Sequence, residues 1–209
     1  MPRITRSIHC VAALVAAAAV VPAFADSAYE PRAGDIVFEI SGSRQAQAVR
    51  IATGATYTHN GVVLMIDGSP HVLEAGIRSV KYTTLEKWLD REDRPIVVKR
   101  LKDAQSVLTP AALGRMRAVG EEFVGRRYDR VFSWSDDEIY CTELVWKIFE
   151  RAVGIEIGRT AEIKDFDLSH PRVQALLHQR YGDNPPLTET VISPSAMFSA
   201  DTLQTVYTN

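Results

Sequence analysis

A chain of 209 residues with 24 lysines and arginines against 26 aspartates and glutamates carries a formal net charge of −2 at pH 7. No basic run of five or more residues occurs, so nothing electrostatic points to nucleic acid as a partner. No apolar run reaches the roughly 18–20 residues that span a bilayer.

The first 25 residues have the layout of a secretory leader. Arg3 and Arg6 form a positive start, residues 11–21 are a short apolar run, and Ala23-Phe24-Ala25 offers a small-x-small cleavage site before Asp26. Pro22 and these flanks favour cleavage over an uncleaved anchor. Cys10 precedes the apolar run, badly placed for a lipoprotein cysteine. The expectation is export to the periplasm or medium, with cleavage after Ala25. Losing Arg3 and Arg6 moves the formal charge from −2 to −4. The remaining residues, 26–209, suffice for one well-cored domain.

In chain order, residues 35–40 read as a strand and 44–52 as a helix ending near Thr53-Gly54. Residues 59–66 and 71–75 are β-rich runs flanking Asp67-Gly68, a strong hairpin signal. A strand is expected at 95–100. A helix follows over roughly 110–124, begun by Thr109-Pro110 and carrying Leu113, Met116, Val119 and Phe123 at helical spacing. After a loop over 125–139, a second helix spans about 141–153 and stops at Gly154. Residues 160–182 are partly helical, 183–194 form a Pro-rich loop, and a closing strand lies near 202–207. Strands come first and helices later, so the expected class is a single α+β domain.

With the leader removed, Cys141 is the lone cysteine of a chain bound for an oxidising compartment. Cys141, Leu144, Val145, Ile148, Phe149 and Ala152 share one helix face, which suits an inert core residue. Its place at the helix N-terminus suits a nucleophile, because the unpaired N–H groups and positive dipole end there favour a thiolate and a developing oxyanion. Glu143, about 200° further round the helix, should point away from the thiol.

A cysteine nucleophile needs a base. His170 and His178 lie in a polar stretch that reads as a solvated face, whereas His59 and His71 sit on the hairpin. If Asp67-Gly68 is a two-residue loop, Ile66 pairs with Ser69, Glu74 faces Gly61 and His59 faces Gly76. His59 and Glu74 are then diagonal neighbours on one face, about 7–8 Å apart at the backbone, while His71 opposite Leu64 points the other way. A three-residue loop would separate them. On spacing alone, Glu74 as orienter of His59 and Glu74 as an ordinary exposed strand residue both remain open. A metal site is disfavoured, since only one cysteine is available and no His-x-x-x-His or Cys-x-x-Cys spacing occurs. No cofactor is expected.

Histidine and acid on early strands with the cysteine on a late helix reverse the ordinary papain order. Gly34-Asp35-Ile36-Val37-Phe38, Thr58-His59-Asn60-Gly61-Val62-Val63, Val72-Leu73-Glu74-Ala75 and the stretch from Gly125 through Tyr128 to Tyr140-Cys141-Thr142-Glu143-Leu144-Val145 carry a resemblance. Together with Ser193-Pro194-Ser195 they resemble the circularly permuted papain-like branch of the NlpC-type hydrolases, and its YiiX/YebB-like group. The resemblance implies a Cys141-His59-Glu74 triad acting on amide or ester acyl groups without a metal. Asp35 would anchor the first strand, and Tyr128, Tyr140 and Asn60 would line the cleft. A cell-wall peptide amide, with peptidoglycan as partner, is the leading substrate expectation. Two alternatives stand beside it: an amidase or acyltransferase acting on lipid acyl chains, which a more apolar cleft would favour, and a non-catalytic envelope-binding domain.

Overall fold

The computed structural model describes residues 29–91 and 95–209; the expected leader, residues 1–25, lies outside the described residues. The chain runs through β1 (Ile36–Glu39), α1 (Arg44–Thr53), β2 (His59–Ile66), β3 (Ser69–Ala75), β4 (Val80–Thr84), α2 (Leu85–Leu89), β5 (Ile96–Leu101) and α3 (Ala104–Val107). Then come α4 (Pro110–Phe123), β6 (Arg127–Tyr128), β7 (Glu138–Ile139), α5 (Cys141–Val153), β8 (Ala161–Glu162) and a 3-10 turn (Ile163–Asp165). The last elements are α6 (Pro171–Tyr181), β9 (Thr190–Val191), α7 (Pro194–Phe198) and β10 (Leu203–Thr208). The mixed α+β class expected from the sequence is the one found.

The main sheet has six strands in the order β10-β5-β1-β2-β3-β4, every neighbour antiparallel. Both faces are covered, which is why the runs at 59–66 and 96–98 are nearly continuous in apolar residues. Ile36, Phe38, Val62, Leu64 and Leu73 point to one face, where Met116 and Phe123 of α4 and Leu144, Ile148 and Phe149 of α5 bury them. The alternate residues Val37, Val63, Val72 and Val98 point to the other, under Leu85 and Trp88 of α2.

Local chemistry sets the boundaries. Ser43 caps α1, its hydroxyl accepting from Ala46 N–H, and Gly54 ends it in the left-handed region. Thr109 caps α4 in the same way ahead of Pro110. Several short elements were not expected, α3, α7 and the two-residue strands within the loops at 125–139 and 183–194 among them; those that matter for the site are β4, and α2, which Thr84 caps through the Lys87 N–H.

The β2–β3 hairpin is the piece that matters most for the site. Asp67 and Gly68 both take positive φ, 49° and 79°, as a two-residue turn matched to strand twist requires. Ile66 therefore pairs with Ser69, Leu64 with His71 and Val62 with Leu73. Gly61 must lack a side chain here. A Cβ at that position would lie 2.5 Å from Val72 Cγ1 and 2.8 Å from the Leu73 carbonyl oxygen, with Glu74 Cβ at 3.2 Å. Gly61→Ala is expected to destabilise the protein by about 2 kcal/mol through this overpacking and to displace Glu74, as read by urea denaturation; an unchanged midpoint would contradict the packing.

Candidate active site

His59 opens β2 and Glu74 lies near the end of β3, both on the face that α2 covers. Their side chains meet, His59 Nε2 standing 2.7 Å from Glu74 Oε2. That leaves Nδ1 unclaimed by Glu74, and hydrogen bonding to Cys141 is among the causes that raise the imidazole. Cys141 is the first residue of α5 and only 5% exposed, yet it lines the same cleft as His59 and Glu74.

Glu74 is held on all sides. Its Oε2 also accepts from Trp88 Nε1 at 3.2 Å, and its Oε1 accepts from Thr83 Oγ1 at 2.6 Å and from Arg91 at 2.8 Å. The second arm of the Arg91 guanidinium reaches Glu39 Oε1 at 2.8 Å. Arg91 also lies over the Trp88 ring, 4.7 Å from its centroid, and Trp88 in turn stacks against His59. Burial opposes ionisation of Glu74, but the hydrogen bond and charge of His59, the Thr83 bond and the Arg91 charge outweigh it and hold the carboxyl below the usual range. For His59, burial favours the neutral ring. Hydrogen bonds to Cys141 and Glu74, with their charges, outweigh burial and raise it from 6.5 to about 10.

The start of α5 is clamped from both sides. Tyr140 Oη accepts from the Ile192 N–H at 2.9 Å, and Thr142 Oγ1 donates to the Ile192 carbonyl at 2.8 Å. Glu143 points away from the thiol, as its position on the helix requires. It pairs with Lys147 at 2.7 Å, and its other oxygen accepts from the Tyr140 N–H at 3.5 Å. Burial pushes the Glu143 carboxyl up to about 8 against the pull of Lys147. Cys141 is thus seated between two anchored neighbours, with the N–H groups of the first helical turn around it.

Tyr128 and Tyr140 both line the cleft. The Tyr128 hydroxyl accepts from Gln45 Nε2 at 2.9 Å, which leaves its own proton free. Burial, reinforced by the neighbouring Cys141, keeps that phenol well above its ordinary range. Asn60 corrects the expectation. It is fully buried, its amide directed at Met197 Sδ 2.9 Å away, and it does not line the cleft. Next to His59 in a strand, it faces the opposite side of the sheet. Asp35 anchors β1 through Arg100, at 2.6 Å and 2.8 Å, and Tyr29. His170 caps α6, and His178 is an exposed partner of Asp183.

The cleft itself holds about 970 Å³. Beyond the thiol its walls are mainly apolar: Ala48, Val49 and Ala52 from α1 face Val173, Leu176 and Leu177 from α6. The spacing 173, 176, 177 is an amphipathic stripe that borders the cleft rather than the core.

Comparison with known proteins bears on the family and the fold. The sequence profile described as permuted papain-like amidase enzyme, YaeF/YiiX, C92 family, matches residues 30–207. The uncharacterized protein YiiX of Escherichia coli strain K12 is 43% identical over 187 residues, covering 89% of each chain. A crystal structure described as the metalloprotein yiiX from Escherichia coli O157:H7 superposes with a TM-score of 0.80 at 42% identity, covering 87% of this chain and 99% of that one. The chain belongs to the permuted papain-like amidase family of YaeF and YiiX.

Proposed function

We propose that this protein is a thiol amidase in which Cys141 is the nucleophile, His59 the base and Glu74 the residue that orients it. The observation carrying this reading is the Glu74–His59 contact of 2.7 Å beside a cysteine at a helix N-terminus. His59 takes the thiol proton at Nδ1, and the thiolate attacks the acyl carbon. First-turn N–H groups and the free Tyr128 hydroxyl hold the oxyanion. Collapse breaks the C–N bond as the His59 imidazolium protonates the leaving amine. Water, deprotonated by His59, then releases the acid from the thioester. The leader-like residues 1–25 support a place of work outside the cytoplasm.

The solved relative is described as a metalloprotein, but the residues here do not fit a metal. The described residues bring no three His, Cys, Asp or Glu side chains together in metal-binding geometry. Both Glu74 oxygens are taken by donors, one of them the Arg91 guanidinium, whose charge would repel a cation.

On the bond cleaved, the apolar walls favour an amide bearing an acyl chain over a polar cell-wall peptide. The test is hydrolysis of aminocoumarin amides of increasing acyl length, set against short peptide amides. kcat/KM should rise by up to ~4-fold per methylene, the equivalent of about 0.8 kcal/mol each, until the cleft is filled. A flat response to chain length with good cleavage of peptide amides would instead return the cell-wall reading.

A further inference from the structure

The cleft is not apolar throughout. Arg78 and Lys81, from the β3–β4 hairpin, and Arg130 and Arg180, from the loop after β6 and the end of α6, also line it. None of the four pairs with a carboxylate among the described residues. The two acids in the lining, Glu39 and Glu74, are both engaged by Arg91. Asp129 is fully buried nearby and binds the N–H groups of Val131 and Ser133.

Arg180 is the centre of this arrangement. It is half-buried, and its hydrogen bonds go only to neutral oxygens, the Arg130 carbonyl and, at 2.7 Å, Gln45 Oε1. Burial accordingly works against its charged form. Asp129 acts on Arg180 through charge alone, with no salt bridge between them, and the planar fork of this half-buried guanidinium matches a carboxylate or phosphate better than any neutral group. Gln45 links it to the reaction centre: the same amide donates to the Tyr128 hydroxyl, and Tyr128 lines the same cleft as Cys141. An anion on Arg180 would sit two side chains from the thiol, at the polar end of the α1–α6 groove.

We infer that the cleft takes an anionic amphiphile, with the acyl chain along the α1 and α6 walls and a carboxylate or phosphate close to the scissile amide received by Arg180, aided by Arg130 and Arg78. This rests on the acyl-amide reading and adds a charge requirement to it.

Binding to the Cys141→Ala protein tests the inference without turnover. N-dodecanoylglycine and its neutral twin N-dodecanoylglycinamide differ only in charge, and dodecyl phosphate and inorganic phosphate separate the two anion types from a free ion. By calorimetry at low salt, the carboxylate probe should bind at least ~10-fold more tightly than the amide. Adding Arg180→Gln should bring the pair within ~2-fold, whereas Arg180→Lys, which keeps the charge, should retain most of the difference. A better response from dodecyl phosphate would identify the anion as a headgroup phosphate, and one from N-dodecanoylglycine as an amino-acid carboxylate. Equal binding of the charged and neutral twins overturns the anion site and leaves the acyl reading standing. If no dodecyl probe binds, the acyl reading falls and takes this inference with it.

Discussion

At about pH 6, alkylation of Cys141 by iodoacetamide is expected to be at least ~10-fold slower in His59→Ala than in the wild type. Alkylation needs a thiolate, and Cys141 sits in the main core among Leu144, Val145 and Ile148. A bare thiolate there lacks solvation, so it depends on the imidazolium beside it and on the first-turn N–H groups. His59 is raised to about 10, against burial and by Cys141 and Glu74, so that imidazolium is available across the neutral range. The wild-type advantage should therefore persist from about pH 6 to 9 and shrink toward pH 10, where His59 gives up its proton. Peptide mapping of the alkylated protein reads the rate at Cys141 directly. Labelling that is slow and indifferent to His59 would make Cys141 an ordinary core residue and leave the non-catalytic binding domain as the better reading.

How much of this was legible in the sequence depended on how local the signal was. The His59–Glu74 contact follows from one dipeptide: Asp67-Gly68 specifies a two-residue turn, and the turn sets the register that puts both side chains on one face. Cys141 was legible because the amphipathic pattern of α5 begins at it. Asn60 was misread, though strand alternation alone would have placed it opposite His59. The grip on Glu74 was not legible. Thr83, Trp88 and Arg91 lie on β4, on α2 and just after it, elements whose signals are short: five residues each, with Thr84 ending one and capping the other. Their convergence on one carboxylate is a product of β3–β4 pairing and of α2 folding back over the sheet. The apolar cleft was half legible. Val173, Leu176 and Leu177 stand at helical spacing, but only the fold reveals that the stripe borders the cleft beside α1.

Glu74→Gln should destabilise the protein by ~3 kcal/mol near pH 5.5, because it leaves a largely buried imidazolium without its counter-charge. Glutamine keeps one oxygen to accept from Trp88 or Thr83 but turns its NH2 toward the donors on the other side, so charge and hydrogen bonding are lost together. The pH dependence separates this from a packing defect. His59 is raised in the folded state, so its contribution is fully present below 6.5 and is lost as pH rises through about 10. Glu74 is lowered, so its contribution is present above 4.5 and is lost as pH falls toward its depressed folded value. Both act together between 4.5 and 6.5. The gap between wild type and Glu74→Gln, measured by urea denaturation, should be widest in that window and narrow toward pH 10. Activity gives a second readout. The variant removes one of the two partners that raise His59, so the alkaline limb of amide hydrolysis, where the imidazolium can no longer protonate the leaving amine, should move to lower pH. A stability gap that stays constant with pH, together with an unmoved alkaline limb, would show that Glu74 fills space beside His59 without tuning its proton.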